Sequence, residues 1–454
     1  VDGSIEEWSP ESVVKADGHH VYLRFKVPGE PQALQASSRT VALYLDVDGN
    51  AETGRRSTAK VFRQLGVDAE VRFSPRGADG KAGRGMSVVR VGDDGKTSKI
   101  ANRSSGVIAS PTYASTWYEM RFDRELLRAA GPEGSGEAKR FTGMFVTLDE
   151  EGLIDGWADP FEVHLGPAAT TPKVATMDVP EKPKGAVRVV SYNVEKAKPV
   201  SSPGSFGRVL TLLDADVVLF QEWTDGDAAS VEAWLQLHAP GAIGAPGWKV
   251  RKTAETGTAV ASRMPLGELK LDSLWMDDGT DKPRLVRMAS AEVMTPGSPI
   301  MFTSVHLKCC GGATGREEQI RQGEARAIQG ALASWDPAVP HIIAGDFNLV
   351  GTRTPLELLR RELDEGGGDL AVAEPVALGG DVKVTWREWS SEFGPSRLDY
   401  VLYAPSRIEV VNSFVLDSTI LADETLARTG LDRGDSEGSD HMPVVVDVLL
   451  KPGT

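Results

Sequence analysis

Gly438-Ser439-Asp440-His441, followed at once by Met442-Pro443-Val444-Val445-Val446, sets a carboxylate and an imidazole at the mouth of an apolar strand. Such a pair can hold a metal or move a proton, and alone it decides little. Its weight comes from other strand-like runs that also end in chemically capable residues. These are Val189-Val190-Ser191-Tyr192-Asn193, Val217-Val218-Leu219-Phe220-Gln221-Glu222, Phe302-Thr303-Ser304-Val305-His306 and Ile342-Ile343-Ala344-Gly345-Asp346-Phe347-Asn348. Polar groups placed repeatedly where buried strands run out describe a site assembled from several strand ends.

Between these runs the period changes from strand to helix. Apolar residues recur at helical spacing from Phe206 to Leu213, ahead of the strand that ends at Glu222, and again from Arg316 to Leu332, after the strand that ends at His306. Nearly continuous apolar strands imply sheets covered on both faces, so residues 187–454 are expected to form a layered α/β domain. The first third reads differently. Val21–Val27, Val41–Asp46, Asp68–Phe73, Val88–Val91, Thr116–Phe122 and Phe141–Thr147 are short runs broken by Gly, Pro and Asp, several of them alternating apolar with polar. Residues 1–166 are therefore expected to form an all-β sandwich. A Pro-, Ala-, Thr- and Lys-rich stretch without sustained period, 167–186, is the expected linker.

At 454 residues two domains are the default. No run is long and apolar enough to span a bilayer. The start at Val1-Asp2-Gly3 suits a processed chain, and the expected setting is extracellular or periplasmic with a signal peptide removed. Formal net charge is −15, of which residues from Val187 onward carry −12. A duplex-DNA binder needs a basic face, so the balance argues against duplex DNA and for a small or neutral-headed substrate. The only cysteines are adjacent, Cys309 and Cys310, which excludes a disulfide scaffold and a cysteine zinc site. Two readings stay open for them: a pair of thiols, or a strained vicinal disulfide that stiffens the loop after His306.

In the first domain, Asp46, Asp48 and Asn50 put oxygen-bearing side chains on alternate residues of a loop. That spacing wraps a structural calcium ion or, as the competing reading, makes a turn held by Asx hydrogen bonds. Together with the opening Val1-Asp2-Gly3…Trp8, the region resembles family 9-like carbohydrate-binding sandwiches. The resemblance implies an accessory domain for a glycan or cell surface but transfers no sugar site. Trp117 and Trp157 are candidates for sugar stacking, with core packing as the alternative.

Asn193, Gln221-Glu222, Ser262-Arg263-Met264-Pro265-Leu266, His306-Leu307, Gly345-Asp346-Phe347-Asn348, Ser396-Arg397-Leu398-Asp399-Tyr400 and Ser439-Asp440-His441 occur in this order. The ordered set resembles the endonuclease/exonuclease/phosphatase superfamily, with the deoxyribonuclease I-like fold of two packed sheets flanked by helices. The resemblance implies a divalent-metal-dependent phosphoester hydrolase using magnesium, manganese or calcium. It implies Glu222 as main metal ligand, with Asn193, Asp440 and Glu195 at or near the ion. Asp346 corresponds to the group that orients or deprotonates water, Asn348 to a donor to the phosphoryl group, and His441 with Asp399 to a His–Asp pair. His306 corresponds to a second imidazole that contacts the phosphate or the leaving group.

Hydrolysis of a phosphoester calls for these residue types on its own account: a cation on the oxygens, a group that positions water, and donors for the phosphoryl charge. The insertion Lys308-Cys309-Cys310 is expected to shape the pocket, and Trp386 either supplies an aromatic wall or packs in the core. A phosphodiesterase acting on a small or lipid-like ester is the leading reading. A nonspecific nuclease and a binding protein with an inactive catalytic-type domain are the alternatives. Every implied catalytic residue follows the linker, so the sandwich is expected to be dispensable for turnover of a small substrate.

Overall fold

The computed structural model describes residues 1, 3, 8, 13–56, 65–77, 83–128, 138–169, 178–241, 244–271, 273–280 and 282–451. Positions 170–177 of the expected linker, and positions 2 and 4–7 of the opening segment, lie outside the described residues.

Each of the six short runs in the first third is a strand. A four-stranded sheet that includes His20–Lys26 and Trp117–Asp123 faces a larger one built on Thr40–Asp46, Ala69–Phe73, Met86–Val91 and Arg140–Leu148. Alternation selects the faces: Tyr118, Met120 and Phe122 point inward from one strand, against Leu43, Val71 and Phe145 of the opposite sheet. The Phe25 and Phe145 rings stack across the gap with centroids 4.1 Å apart.

The second domain is two facing sheets with helices outside. Its central strands are β1 (Val187–Asn193), β2 (Val217–Gln221), β3 (Ala259–Ser262), β4 (Met288–Met294), β5 (Pro299–His306), β6 (His341–Asp346), β7 (Asp399–Tyr403), β8 (Ile408–Val415) and β9 (Val444–Leu450). One sheet runs β3-β2-β1-β9-β8 through its middle, the other β4-β5-β6-β7. Val189, Leu219, Phe302 and Ile343 meet between the sheets. On β1 the alternate residues, Val190 and Tyr192, turn outward beneath α1 (Pro203–Leu213) and α2 (Ala228–His238). Burying each such side chain contributes on the order of 1.5–3 kcal/mol.

The topology decides where the site lies. β1 and β2 are parallel neighbours joined through α1, and β5 and β6 are parallel neighbours joined through α3 (Arg316–Leu332). Parallel strands end on the same side, which brings Asn193 beside Gln221-Glu222 and His306 beside Asp346. β9 and β7 run antiparallel to β1 and β6, so the segments that lead into them start on that side. Asp399 and His441 thus join the other four although up to 248 residues separate members of the group.

The two domains touch. The Asp381 carboxylate accepts from Tyr22 and Arg121 of the sandwich, and the Val1 ammonium donates to the Asp381 carbonyl at 2.5 Å. Backbone bonds cross from Met86 N to Glu392 O (2.8 Å) and from Ala114 N to Gly351 O (2.8 Å).

Candidate active site

Six side chains converge at the shared strand ends. Asn193, fully buried, donates through Nδ2 to Glu222 Oε1 (3.2 Å) and Asp346 Oδ2 (3.2 Å), and the same nitrogen lies 3.4 Å from His441 Nε2. Glu222 sits one residue past β2 with φ of 58°, and Asn348 two past β6 with φ of 48°. Left-handed backbone costs a side-chain-bearing residue on the order of 1 kcal/mol, and such strain concentrates at functional sites. In both cases the turn stops the strand and faces the side chain into the cavity that Glu222 and Asn348 line. Gly345, with φ of 150°, has a different duty: a Cβ there would lie 1.9 Å from Val305 O, so only glycine lets β6 pass β5 just before Asp346.

The His441–Asp399 pair forms as the resemblance implies. Nδ1 of His441 lies 2.8 Å from Asp399 Oδ2, and Nε2 lies 3.6 Å from Asp346 Oδ2. Burial works to lower the imidazole's pKa, but the carboxylates of Asp399 and Asp346 outweigh it and raise it well above the ordinary histidine value. Burial raises the Asp346 carboxyl, against the pull of His441 and of the Asn348 N–H on Oδ1.

His306 is the opposite case. Burial first, then the Arg287 guanidinium, push its pKa far down. Arg287 Nη1 lies 3.0 Å from His306 Nδ1. A guanidinium only donates, so Nδ1 accepts and the neutral ring carries its proton on Nε2. That N–H faces Asp346 Oδ2 at 3.5 Å and Glu222 Oε1 at 3.7 Å.

Glu222, His306 and Asp346 each offer a ligand atom within 4.8 Å of the others, the metal-capable cluster of this site among the described residues. Its two carboxylates are hard oxygen donors that fit magnesium, manganese or calcium. Of the four expected metal residues, Glu222 is in the cluster and Asn193 touches it. Asp440 and Glu195 lie outside the cluster, with Asp440 in the cavity wall. Asp440 Oδ2 accepts from Trp386 Nε1 (2.9 Å), and Glu195 Oε2 accepts from Lys198 Nζ (2.5 Å) and Asp440 N (3.0 Å).

A cavity of ≈ 520 Å³ opens above the cluster, lined by Trp386, Cys309 and Cys310 as expected. Lys308 does not line it: its N–H donates to Glu324, its carbonyl accepts from Arg321, and its Nζ lies 3.6 Å from Cys309 Sγ. Of the two readings left open for the cysteines, the structure has the pair of thiols. Both cysteines are free thiols, with Cys310 Sγ 2.8 Å from Cys309 Sγ, which spares the loop an eight-membered ring.

Sequence reasoning missed Arg287, one of three cations between positions 282 and 287 ahead of strand β4, with no local signal that sets it apart. It also missed the sandwich residues Ala33, Gln35, Ala36, Arg84 and Thr112 in the cavity wall.

In the sandwich, the Asp46–Asn50 loop is held by Asx bonds: Asp46 Oδ1 accepts from Gly49 N, Asp48 Oδ1 from Asn50 N, and Asn50 Oδ1 from Glu52 N. Asp46, Asp48 and Asp68 form an acidic cluster there. Burial raises the Asp68 carboxyl to about 7, with Asp48 and Asp46 adding to the effect.

Residues 190–441 match the Endonuclease/Exonuclease/phosphatase family. The chain belongs to that family. Its members are phosphoester hydrolases, and this chain is a metal-binding hydrolase by that membership. Among solved structures, the chain is similar to D. rerio TDP2 humanized by 14 mutations (18% identity, 58% of this chain and 99% of that one, TM-score 0.39). It is likewise similar to the human Nocturnin catalytic domain (17% identity, 60% and 97%, TM-score 0.39) and to Sphingomyelinase C from Streptomyces griseocarneus (20% identity, 58% and 99%, TM-score 0.37). A comparison with curated protein sequences gave no match.

Proposed function

We propose that this family member is a phosphodiesterase that acts on a small or lipid-like phosphodiester with a divalent cation, magnesium first among the candidates. The observation that carries the reading is the meeting of Glu222, Asp346 and the His441–Asp399 pair at the floor of one cavity of ≈ 520 Å³. The chain's charge of −15 supports a compact substrate over duplex DNA.

Glu222 is the ligand this reading assigns to the cation, which when bound would neutralise charge on the phosphoryl oxygens. His306 does not compete for it, because its Nε2 carries the proton and Arg287 holds Nδ1. Asp346 positions the attacking water and takes its proton as the P–O bond to the alcohol breaks. His441, flanked by Asp399 on one ring nitrogen and Asp346 beyond the other, donates to a phosphoryl oxygen, and Asn348 lines the same floor.

Glycan attachment by the sandwich has little beneath it: the Arg24 guanidinium lies 5.1 Å over the Trp117 ring, while Trp157 is exposed. The test of the function is a hydrolysis panel of aryl phosphomono-, di- and triesters, single- and double-stranded DNA and phospholipid vesicles, each with magnesium, manganese and calcium. Preference for the diesters or phospholipids supports the reading. Preference for DNA with steep salt dependence would favour the nuclease alternative, and no turnover at all the inactive one.

A further inference from the structure

The cavity above the catalytic floor has a second wall that none of the family's catalytic residues supplies. Ala33, Gln35, Ala36, Arg84 and Thr112, all from the N-terminal sandwich, line it together with Arg287, His306 and His441. The wall is fastened on both sides of Arg84's loop. Met86 N donates to Glu392 O at 2.8 Å, and Gly394 N donates to Gln35 Oε1 at 2.7 Å. The fit is close: a Cβ on Gly85 would lie 2.1 Å from Glu392 O, and one on Gly312 would lie 2.8 Å from Ala36 O. These contacts grip the two loops of the catalytic domain that frame the mouth, the one after Cys309-Cys310 and the one that leads to Asp399. Thr112 adds a bond at 3.2 Å from Arg397 N.

We propose that the sandwich is the outer half of the substrate site, with Arg84 as a substrate-contacting, specificity-determining residue. The inference rests on the phosphodiesterase reading above and narrows its substrate class. Arg84 is exposed on the cavity wall, and among the described residues it makes no hydrogen bond or ion pair. A guanidinium left unpaired at a pocket wall is a receiver for an acceptor oxygen of the ligand. The cavity lining as a whole is mostly carbon, with Ala33, Ala36, Val350, Phe393 and Leu398 among its residues. The ≈ 520 Å³ of space is that of a site for a small molecule. The substrate is therefore a small phosphodiester whose leaving group is mostly carbon and presents an acceptor oxygen to Arg84. The phosphoryl group lies on the floor with Glu222 and His441.

The test is steady-state kinetics of the full chain with magnesium on bis(p-nitrophenyl) phosphate, the p-nitrophenyl ester of thymidine 5′-monophosphate and a single-stranded oligonucleotide. Arg84→Ala should raise KM for both small esters about tenfold with kcat little changed. Arg84→Lys should recover part of the loss, and Arg84→Glu should deepen it. Thermal unfolding should be the same in all three variants, since an exposed side chain without partners holds nothing together. Unchanged KM in Arg84→Ala and Arg84→Glu, in an otherwise active enzyme, overturns the proposal and leaves the phosphodiesterase reading standing. So does an oligonucleotide hydrolysed with a kcat/KM equal to that of the small esters. A wild-type chain that hydrolyses neither small ester contradicts the phosphodiesterase reading and this proposal with it.

Discussion

His441 and Asp399 act on the substrate as one group, because the 2.8 Å contact at Nδ1 fixes which ring nitrogen carries a proton toward the floor. Replacing either by Ala should lower kcat/KM on the order of 10²- to 10⁴-fold. The double replacement should lose little beyond the worse single one, since residues that work together are non-additive. Fully additive losses in the double-mutant cycle would show two independent groups. His341 is a titratable residue of another kind. It opens β6 with its Nδ1 buried and without a hydrogen-bond partner among the described residues, and burial lowers its pKa from 6.5 to about 4. The unfolded chain therefore binds a proton that the folded chain refuses. The stability this gives is complete above pH 6.5 and is lost as pH falls toward 4, by up to about 3 kcal/mol. Urea midpoints at pH 7 and pH 4.5 should differ less in His341→Gln than in the wild type. Equal differences would mean that the ring is protonated in the folded protein.

At the scale of strands and helices, the parallel pairs carry the site. Gly345→Ala would drive a Cβ into Val305 O where β5 and β6 run side by side, and should cost at least about 2 kcal/mol in chemical unfolding while displacing Asp346. A variant of wild-type stability would mean that the two strands separate more easily than their register allows. Much of this level was legible in the sequence. The strand runs from Val189, Val217, Phe302 and Ile342, and the helix from Arg316 to Leu332, show their period without help, and the polar ends follow from it. Arg287 was not legible because its partner at the His306 ring lies 19 residues away on the neighbouring strand and no local pattern marks it. Lys308 was misplaced for the same reason: its backbone is held by Glu324 and Arg321 of α3, and those contacts aim the loop. Asp440 and Glu195, placed near the metal by the resemblance, accept from Trp386 and Lys198, partners that lie 54 and 3 residues away.

At the scale of the molecule, the least legible feature was the seat of the sandwich. Composition and period place a boundary near residues 167–186, and nothing local shows that the chain then folds back so that Tyr22 and Arg121 clasp Asp381. With that clasp and the bonds around Arg84, the sandwich is built into the pocket mouth instead of standing apart. Asp381→Ala should lower stability by about 1–3 kcal/mol, because Tyr22 and Arg121 lose their shared acceptor, and should raise KM by loosening the mouth. Thermal unfolding and KM both unchanged would show that the contact holds nothing. Above all of this stands the claim that the strand ends bind a divalent cation at Glu222 for phosphodiester hydrolysis. The measurement that meets it most directly is turnover of bis(p-nitrophenyl) phosphate across a magnesium titration, for the wild type and for Glu222→Gln, after removal of metal with EDTA. The expected result is saturable activation in the wild type, with a shift to higher magnesium and a kcat lower by about 10²-fold or more in the variant. Turnover that survives EDTA, or a Glu222→Gln titration that overlays the wild type, would contradict it.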